Sequence, residues 1–113
     1  DLPTLPQQAL IYRLSGDFNP LHASPDAARA AGFKAPILHG LCTMGVATHA
    51  LLKSCCDYDT SRFKRMRLRF SAPVYPGETI RTEIWNNGNE MTFLCKSVEQ
   101  DKIVINNGYL LIE

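Results

Sequence analysis

Hydrophobic and polar residues alternate through the second half of the chain, which is the pattern of half-buried β-strands. Met66, Leu68 and Phe70, for example, alternate with basic residues, so that strand has one apolar face and one strongly basic face. Turn-forming residues separate the alternating segments, and Asn86–Asn89 is typical of a hairpin turn. We therefore expect four antiparallel strands. They are Arg65–Ser71, Thr79–Trp85, Met91–Val98 and Ile103–Ile112.

The first half of the chain has the spacing of helices instead. Gln7–Leu14 carries apolar residues one turn apart and ends at a Ser-Gly pair, and Ser24 is a candidate N-cap for a short helix over Pro25–Ala31. Pro36–Cys55 is the longest candidate, and it is apolar on nearly all sides, so we expect it to be central and buried. No strand is expected ahead of Leu5. Helices followed by strands predict an α+β domain in which a sheet wraps one long helix.

Composition and charge narrow the possible functions. The 113 residues fit one domain, 1–113. The net charge of +1 excludes a protein whose main function is to bind nucleic acid through a strongly basic surface. No apolar run approaches the roughly 18–20 residues that a membrane span needs. The sequence shows no secretory signal, so we expect its four cysteines to be reduced thiols. The C-terminal residues do not form an address of the Ser-Lys-Leu type.

The segment around Asp17 and His22 has the residue types of a proton-transfer site. The loop between these two side chains contains Asn19 and Pro20. A carboxylate and an imidazole brought together can hold a water molecule and move protons in both directions. Asn19 can orient either partner by a hydrogen bond, and Pro20 stiffens the loop. The alternative is that Asp17 and Asn19 only form a turn and that His22 is a surface residue.

A second cluster, Pro36–Gly40, lies at the start of the predicted central helix. Backbone N–H groups in the first turn of a helix lack intrahelical partners and favour negative charge. A glycine at this point, Gly40, lets a substrate carbonyl come close, so the cluster is a candidate oxyanion site. The alternative is that Gly40 only permits close packing between the helix and a strand.

Together these segments resemble the signature of the MaoC-like hydratases. The resemblance rests on Tyr12–His22, which contains the pattern Gly-Asp-x-Asn-Pro-x-His, and on Pro36–Cys42, Ser61–Lys64 and Arg69–Gly77. Within that family the chain most resembles (R)-specific 2-enoyl-CoA hydratases (hydratase 2), especially the hydratase region of the type 2 peroxisomal multifunctional enzymes. The family has the hot-dog fold, a long central helix wrapped by an antiparallel sheet, which agrees with the helices and strands predicted above.

The resemblance implies a reaction and the residues that perform it. The reaction is the reversible syn addition of water to trans-2-enoyl-CoA, which gives (R)-3-hydroxyacyl-CoA in fatty-acid β-oxidation. At the matching family positions Asp17 and His22 hold the reacting water, Asn19 supports them, and the backbone N–H of Gly40 binds the thioester oxygen. No metal and no cofactor is implied, because coenzyme A is part of the substrate. The implied substrate-binding residues are Phe18, His39, Gly40, Leu41 and Arg69.

The resemblance also implies a partner and a compartment. Type 2 multifunctional enzymes carry two hot-dog halves in tandem, and this chain matches the catalytic half, so we expect either a second half or a homodimer partner. The implied compartment is the peroxisome. We expect His39 to have a structural, hydrogen-bonding role, and the basic strand face around Arg69 to be solvated or to meet the phosphates of coenzyme A. The alternatives are another hot-dog acyl-thioester dehydratase, a thioesterase or a non-catalytic acyl-binding half.

Overall fold

The structure is a computed structural model that describes residues 1–113. It contains five antiparallel strands and three α-helices. The elements are β1 (Leu2–Pro3), α1 (Gln8–Arg13), α2 (Pro25–Ala30), α3 (Gly40–Cys55), β2 (Phe63–Phe70), β3 (Thr79–Asn87), β4 (Glu90–Ser97) and β5 (Lys102–Ile112). The strands lie in the order β1-β3-β4-β5-β2, so β1 and β2 form the two edges of one sheet. The long helix α3 packs against this sheet, which confirms the predicted α+β class.

The central helix begins later than its pattern predicts. The predicted helix starts at Pro36, whereas α3 starts at Gly40. The N–H of Leu38 donates to the carbonyl of Val74 at 2.7 Å, and His39 has an extended backbone with ψ 137°. The chain ahead of Gly40 is therefore tied to the segment that precedes β3, and this tertiary contact overrides the local helical spacing.

One face of α3 is buried and the opposite face is open. Leu41 is 63% exposed, and Gly45 and His49, which follow it at one-turn spacing, are exposed as well. The expectation that this helix is buried on nearly all sides is therefore wrong for this row of residues. The buried residues of α3 are Cys42, Thr43, Ala47 and Leu51.

A fifth strand lies ahead of α1, where none is expected from the sequence. Leu2 and Pro3 pair with Ile80 and Thr79 at one edge of the sheet. A strand of two residues is too short to show an alternating pattern, so the pairing with β3 is the only signal of it. The expectation of no strand ahead of Leu5 is wrong for this reason.

The hairpin between β3 and β4 is tighter than the sequence predicts. Asn86 and Asn87 belong to β3, and the turn consists of Gly88 and Asn89 alone. Gly88 has φ +69°, and a two-residue turn with glycine in the first position matches the twist of paired strands. The other three predicted strands are confirmed as β2, β4 and β5, with ends shifted by at most two residues.

The two short helices are confirmed to within one residue at each end. The Ser24 side chain accepts a hydrogen bond from the N–H of Ala27 at 3.3 Å, which is the predicted N-cap of α2. Pro25 takes the first helical position, where its missing N–H costs nothing. The chain beyond α1 turns at Gly16, which has φ +110°.

The core lies between α3 and the face of the sheet that packs against it. Leu51 of α3 and Ile80, Ile105 and Leu110 of the sheet are among the largest fully buried side chains. No helix is both long enough and apolar enough to cross a membrane. The cysteines are free thiols, as expected, and they are Cys42, Cys55, Cys56 and Cys95.

Close packing at Gly108 gives a test of the sheet. Gly108 lies opposite Phe93 where β5 pairs with β4. A Cβ at Gly108 would come within 2.6 Å of the Phe93 ring and closer still to the Phe93 carbonyl oxygen. We expect Gly108→Ala to lower the free energy of unfolding by about 3 kcal/mol, because a paired backbone cannot move aside. Urea denaturation followed by circular dichroism measures the change.

The matched control for this substitution is Gly45→Ala in α3. No atom lies within 4 Å of a Cβ built at Gly45, so there the methyl group meets open space. We expect Gly45→Ala to leave the stability unchanged or to raise it by up to about 1 kcal/mol, because alanine is the better helix former. Equal stability of the two variants would contradict the described pairing of β4 and β5.

Candidate active site

The loop that follows α1 is held by its own side chains. Asp17 Oδ1 accepts a hydrogen bond from the N–H of Asn19 at 3.2 Å, and Asn19 Oδ1 accepts one from the N–H of Leu21 at 3.0 Å. Asn19 thereby caps a 3-10 turn, Pro20–His22, that carries the histidine. These short-range bonds set the position of this turn relative to Asp17, and Asn19 orients the pair through the backbone.

A backbone carbonyl orients the ring of His22. The Nδ1 atom lies 2.8 Å from the carbonyl oxygen of Ile37, and a carbonyl can only accept, so Nδ1 carries the proton. In the neutral imidazole, Nε2 then keeps its lone pair, which can exchange a proton with a water molecule or a substrate. His22 is half-buried and Asp17 is exposed, so solvent and ligands can reach the pair.

The structure brings Asp17 and His22 together. One ligand-type atom each of Asp17, His22 and His39 lie within 4.8 Å of one another. Two hydrogen bonds of about 2.8 Å that share one water molecule span a similar distance. The side chains are therefore spaced to hold a water between them. A turn alone would not require this convergence of the two side chains.

The same three side chains are not arranged like a metal site. The rings of His22 and His39 stack, with centroids 3.8 Å apart and planes 25° apart. The lone pairs of an imidazole lie in its ring plane, so two stacked rings direct them along nearly parallel planes instead of toward one point. Tetrahedral coordination needs ligands that converge on a common ion. The arrangement suits hydrogen bonding better than metal coordination.

His39 is the buried member of the cluster. Its side chain is 1% exposed, and the residue occupies the N-cap position of α3. Its Nε2 atom lies 3.2 Å from the carbonyl oxygen of Asp17, and the ring of Tyr12 packs against it with centroids 4.6 Å apart. A side chain this deeply buried does not face a ligand. Any substrate contact of His39 therefore falls to its backbone.

Gly40 is exposed and is the first residue of α3. The first N–H to bond the carbonyl of His39 belongs to Cys42, so the N–H groups of Gly40 and Leu41 have no intrahelical partner. A Cβ at Gly40 would meet the ring of Phe70 at 3.2 Å. The N–H of Gly40 is therefore available to a ligand oxygen in a place where an aromatic ring leaves little room for a side chain.

Of the other predicted substrate-binding residues, Phe18 and Leu41 adjoin this cluster in the chain and Arg69 does not. Phe18 and Leu41 are 60% and 63% exposed, and the guanidinium carbon of Arg13 lies 5.6 Å from the centre of the Phe18 ring. Arg69 is exposed on β2, where it precedes Phe70 and points to the opposite face of the strand. Arg69, like Asp17 and Phe18, lines none of the three cavities, and it is not one of the clustered side chains.

Two cavities adjoin His22. One has a volume of about 270 Å³, and its mainly apolar wall includes Gly40 and Phe70. The other has a volume of about 280 Å³ and lies toward Pro6 and Tyr75. A larger cavity, of about 410 Å³, follows the exposed row of α3 and is lined by neither Asp17 nor His22. The first cavity is the one that combines His22 with the free N–H of Gly40.

Cys42 is the cysteine nearest to Gly40 in the chain, and its thiol is a poor nucleophile. Burial raises the pKa of the Cys42 thiol, and a hydrogen bond with Gln8 offsets part of this increase. The thiol therefore stays protonated at neutral pH, and a protonated thiol is a poor nucleophile. Nucleophilic catalysis by Cys42 is not part of this site.

Sequence reasoning missed three contributors to the site. Ile37 acts through its carbonyl oxygen, which any residue would supply, so its side chain gave no signal. Phe70 reaches Gly40 only because β2 folds back beside α3. Tyr12 packs on His39, and its only signal was its place at the start of the Tyr12–His22 segment.

Comparison with known proteins places the chain in a family. A family model described as "MaoC like domain" matches residues 1–108. Peroxisomal multifunctional enzyme type 2 of Mus musculus is 52% identical over 103 residues, which are 91% of this chain and 14% of the mouse protein. Enoyl-CoA hydratase 2, peroxisomal, of Arabidopsis thaliana is 49% identical over 107 residues, which are 95% of this chain and 34% of the plant protein.

A solved structure matches the fold of almost the whole of this chain. The crystal structure of a MaoC-like dehydratase from Phytophthora Capsici superposes with a TM-score of 0.96 at 46% identity, and the match covers 99% of this chain and 38% of that one. The chain thus spans less than two fifths of the length of each of these three relatives. The helix wrapped by an antiparallel sheet is the hot-dog fold, and the chain belongs to the MaoC-like domain family.

Proposed function

We propose that the chain is the catalytic hot-dog domain of an (R)-specific 2-enoyl-CoA hydratase of fatty-acid β-oxidation. The observation that carries the proposal is the convergence of the Asp17 and His22 side chains, whose ligand-type atoms lie within 4.8 Å, close enough for a water molecule to contact both. The relatives support it, because enoyl-CoA hydratase 2 of Arabidopsis thaliana carries this activity in its name. The free N–H of Gly40 supplies the second element that the reaction needs.

In the proposed reaction, water adds across the double bond of a trans-2-enoyl thioester. The water oxygen forms a bond to C3 as the carbon–carbon π bond breaks, and a proton is delivered to C2 on the same face. One member of the Asp17–His22 pair takes the proton that water loses, and the pair returns a proton to C2. The lone pair on His22 Nε2 and the Asp17 carboxylate are the two groups able to exchange these protons.

The proposed role of Gly40 is to stabilise the charge that develops on the thioester oxygen. As water attacks C3, electron density moves through the conjugated system to that oxygen and gives an enolate-like transition state. A hydrogen bond from a fixed backbone N–H stabilises this charge, and the positive end of the helix dipole adds to it. The apolar cavity of about 270 Å³ beside Gly40 and His22 is the proposed place for the start of the acyl chain.

The rim of the site would hold the rest of the thioester. Phe18 follows Asp17 and Leu41 follows Gly40 in the chain, and both are exposed apolar residues suited to cover the apolar part of a ligand. Arg69 lies outside the cluster, so it could reach only the distant phosphates of coenzyme A. The proposed enzyme needs no metal and no cofactor, since coenzyme A is part of the substrate.

A second hot-dog half or a second copy of the chain is the proposed partner. The outer edge of β2 has no neighbouring strand over eight residues, and an unpaired edge of this length is a template for pairing with another chain. β2 is also the strand that brings Phe70 to Gly40, so a partner at this edge would lie beside the site. The names of the relatives support a peroxisomal location as part of the same proposal.

Replacing either member of the pair tests the proposed chemistry. Asp17→Asn keeps an oxygen that can accept from the N–H of Asn19, and His22→Gln keeps a side-chain amide near Ile37. We expect each variant to lose about 10²- to 10⁴-fold in the rate of hydration, because a proton-transfer group is removed while the fold is kept. The measurement follows loss of the enoyl absorbance of trans-2-enoyl-CoA and resolves the configuration of the product.

Two matched controls carry the same changes outside the site. Asp26→Asn removes an exposed carboxylate that pairs with Arg29, and His49→Gln removes an exposed imidazole of α3 that contacts Tyr58. Both should keep full activity. The assay is run on the chain alone and again with an upstream hot-dog half, because an incomplete acyl pocket would also silence the chain. No turnover in either form, or an (S)-product, would refute the proposal, and turnover of a carrier-protein thioester alone would favour the dehydratase alternative.

Gly40→Ala tests the proposed oxyanion position. The added methyl group would lie 3.2 Å from the ring of Phe70, which is 46% exposed and can move aside, so we expect little change in stability. We expect kcat to fall by about tenfold to 100-fold, because the methyl group obstructs the approach of the thioester carbonyl to the N–H. The loss should persist in Gly40→Ala/Phe70→Leu, where the ring is no longer crowded. Gly45→Ala is the control on the same helix, and full activity of Gly40→Ala would exclude this role.

A further inference from the structure

The ring of His39 is held between elements that the proposed chemistry uses. It stacks on the ring of His22 at 3.8 Å between centroids, and it contacts the ring of Tyr12 at 4.6 Å. Its side chain is 1% exposed, so its position is fixed by packing on all sides. His39 is also the N-cap residue of α3, but no side-chain hydrogen bond caps the helix there. The imidazole therefore does not cap the backbone N–H groups of α3.

One nitrogen of His39 ties down the loop that carries Asp17. Nε2 lies 3.2 Å from the carbonyl oxygen of Asp17, and a carbonyl can only accept, so Nε2 carries the proton. The other nitrogen, Nδ1, is buried without a hydrogen-bond partner. This tautomer is the opposite of the one at His22, where Nδ1 donates to Ile37. The two stacked rings thus hold two different backbone carbonyls, one on each side of the site.

We propose that His39 is a positioning residue for the Asp17–His22 pair. Its stacked ring keeps the imidazole of His22 in one plane, and its Nε2–H holds the backbone of Asp17 at the distance that lets one water molecule bridge the pair. This inference rests on the proposed function. The imidazole of His39 does not touch the substrate, because it is buried.

Such a residue affects the rate more than the binding of substrate. The His22 ring makes one hydrogen bond, to the carbonyl oxygen of Ile37. Without a stacked neighbour, the plane of the ring can tilt while this hydrogen bond is kept. This tilt moves Nε2 away from the bridging water, and a displacement of about 1 Å in a reacting group can cost 10²-fold in rate. The surfaces that contact the acyl chain stay in place, so KM should change little.

Two substitutions separate the two contacts of His39. His39→Phe keeps a flat ring that can stack on His22 but removes the donor to Asp17, whereas His39→Gln keeps an amide donor but removes the ring. We expect each to lower kcat by about tenfold to 100-fold with KM changed by less than about threefold, because each leaves one of the two constraints. His39→Ala removes both and should be slower than either.

An NMR measurement on the free protein tests the positioning without turnover. The chain has three histidines, so their imidazole signals can be assigned from single substitutions. In the wild type, long-range ¹H–¹⁵N spectra should show the proton of His22 on Nδ1 and that of His39 on Nε2. In His39→Gln the signals of His22 should shift, through loss of the stacked ring, and should broaden or show a mixture of tautomers.

Controls distinguish positioning from a general loss of stability. Ile80→Val removes one methylene group from the core at a residue of β3, so it should lower the melting temperature without changing kcat or the His22 signals. His49→Gln should change neither.

The outcomes of these measurements separate the two proposals. A proton on Nδ1 of His39, or unchanged His22 signals and kcat in both His39 variants, would overturn the positioning role. Absence of hydratase activity in the wild type, with the predicted tautomers and the shift in His39→Gln present, would reject the proposed function but not the positioning of the pair.

Discussion

The site depends on the hydrogen bond that the N–H of Leu38 donates to the carbonyl of Val74. This bond keeps the chain extended up to His39, so α3 cannot begin before Gly40. A helix that began at Pro36 would use the N–H of Gly40 in its own ladder and would turn the ring of His39 elsewhere. The free N–H of Gly40, the buried imidazole of His39 and the Ile37 carbonyl that is left to bond His22 are therefore three results of one tertiary contact.

The parts of the fold that follow from local pattern were predicted well from the sequence. Alternation located β2, β4 and β5, and Ser24-Pro25 located the start of α2, because these signals depend on neighbours in the chain. The start of α3 and the strand at Leu2–Pro3 were predicted wrongly. Both depend on pairing with residues far along the sequence, which no local spacing reports.

The same distinction applies within the site. Asp17 and His22 could be found because a short loop, fixed by hydrogen bonds of Asn19, carries both of them. The approach of Phe70 to Gly40 could not be found, because it depends on how β2 lies beside α3. Composition and motif therefore indicated the candidate residues of the loop, whereas the shape of the apolar cavity required the fold.

The main-chain groups that orient the site have an evolutionary consequence. His22 bonds the carbonyl of Ile37, His39 bonds the carbonyl of Asp17, and Asn19 bonds the N–H of Leu21. Each of these partners is a main-chain atom, which almost any residue at those positions would provide. These hydrogen bonds therefore do not require a particular side chain at position 21 or 37. Ile37 lines the cavity beside Gly40, so its side chain can vary and reshape that cavity while the hydrogen bond from His22 is kept.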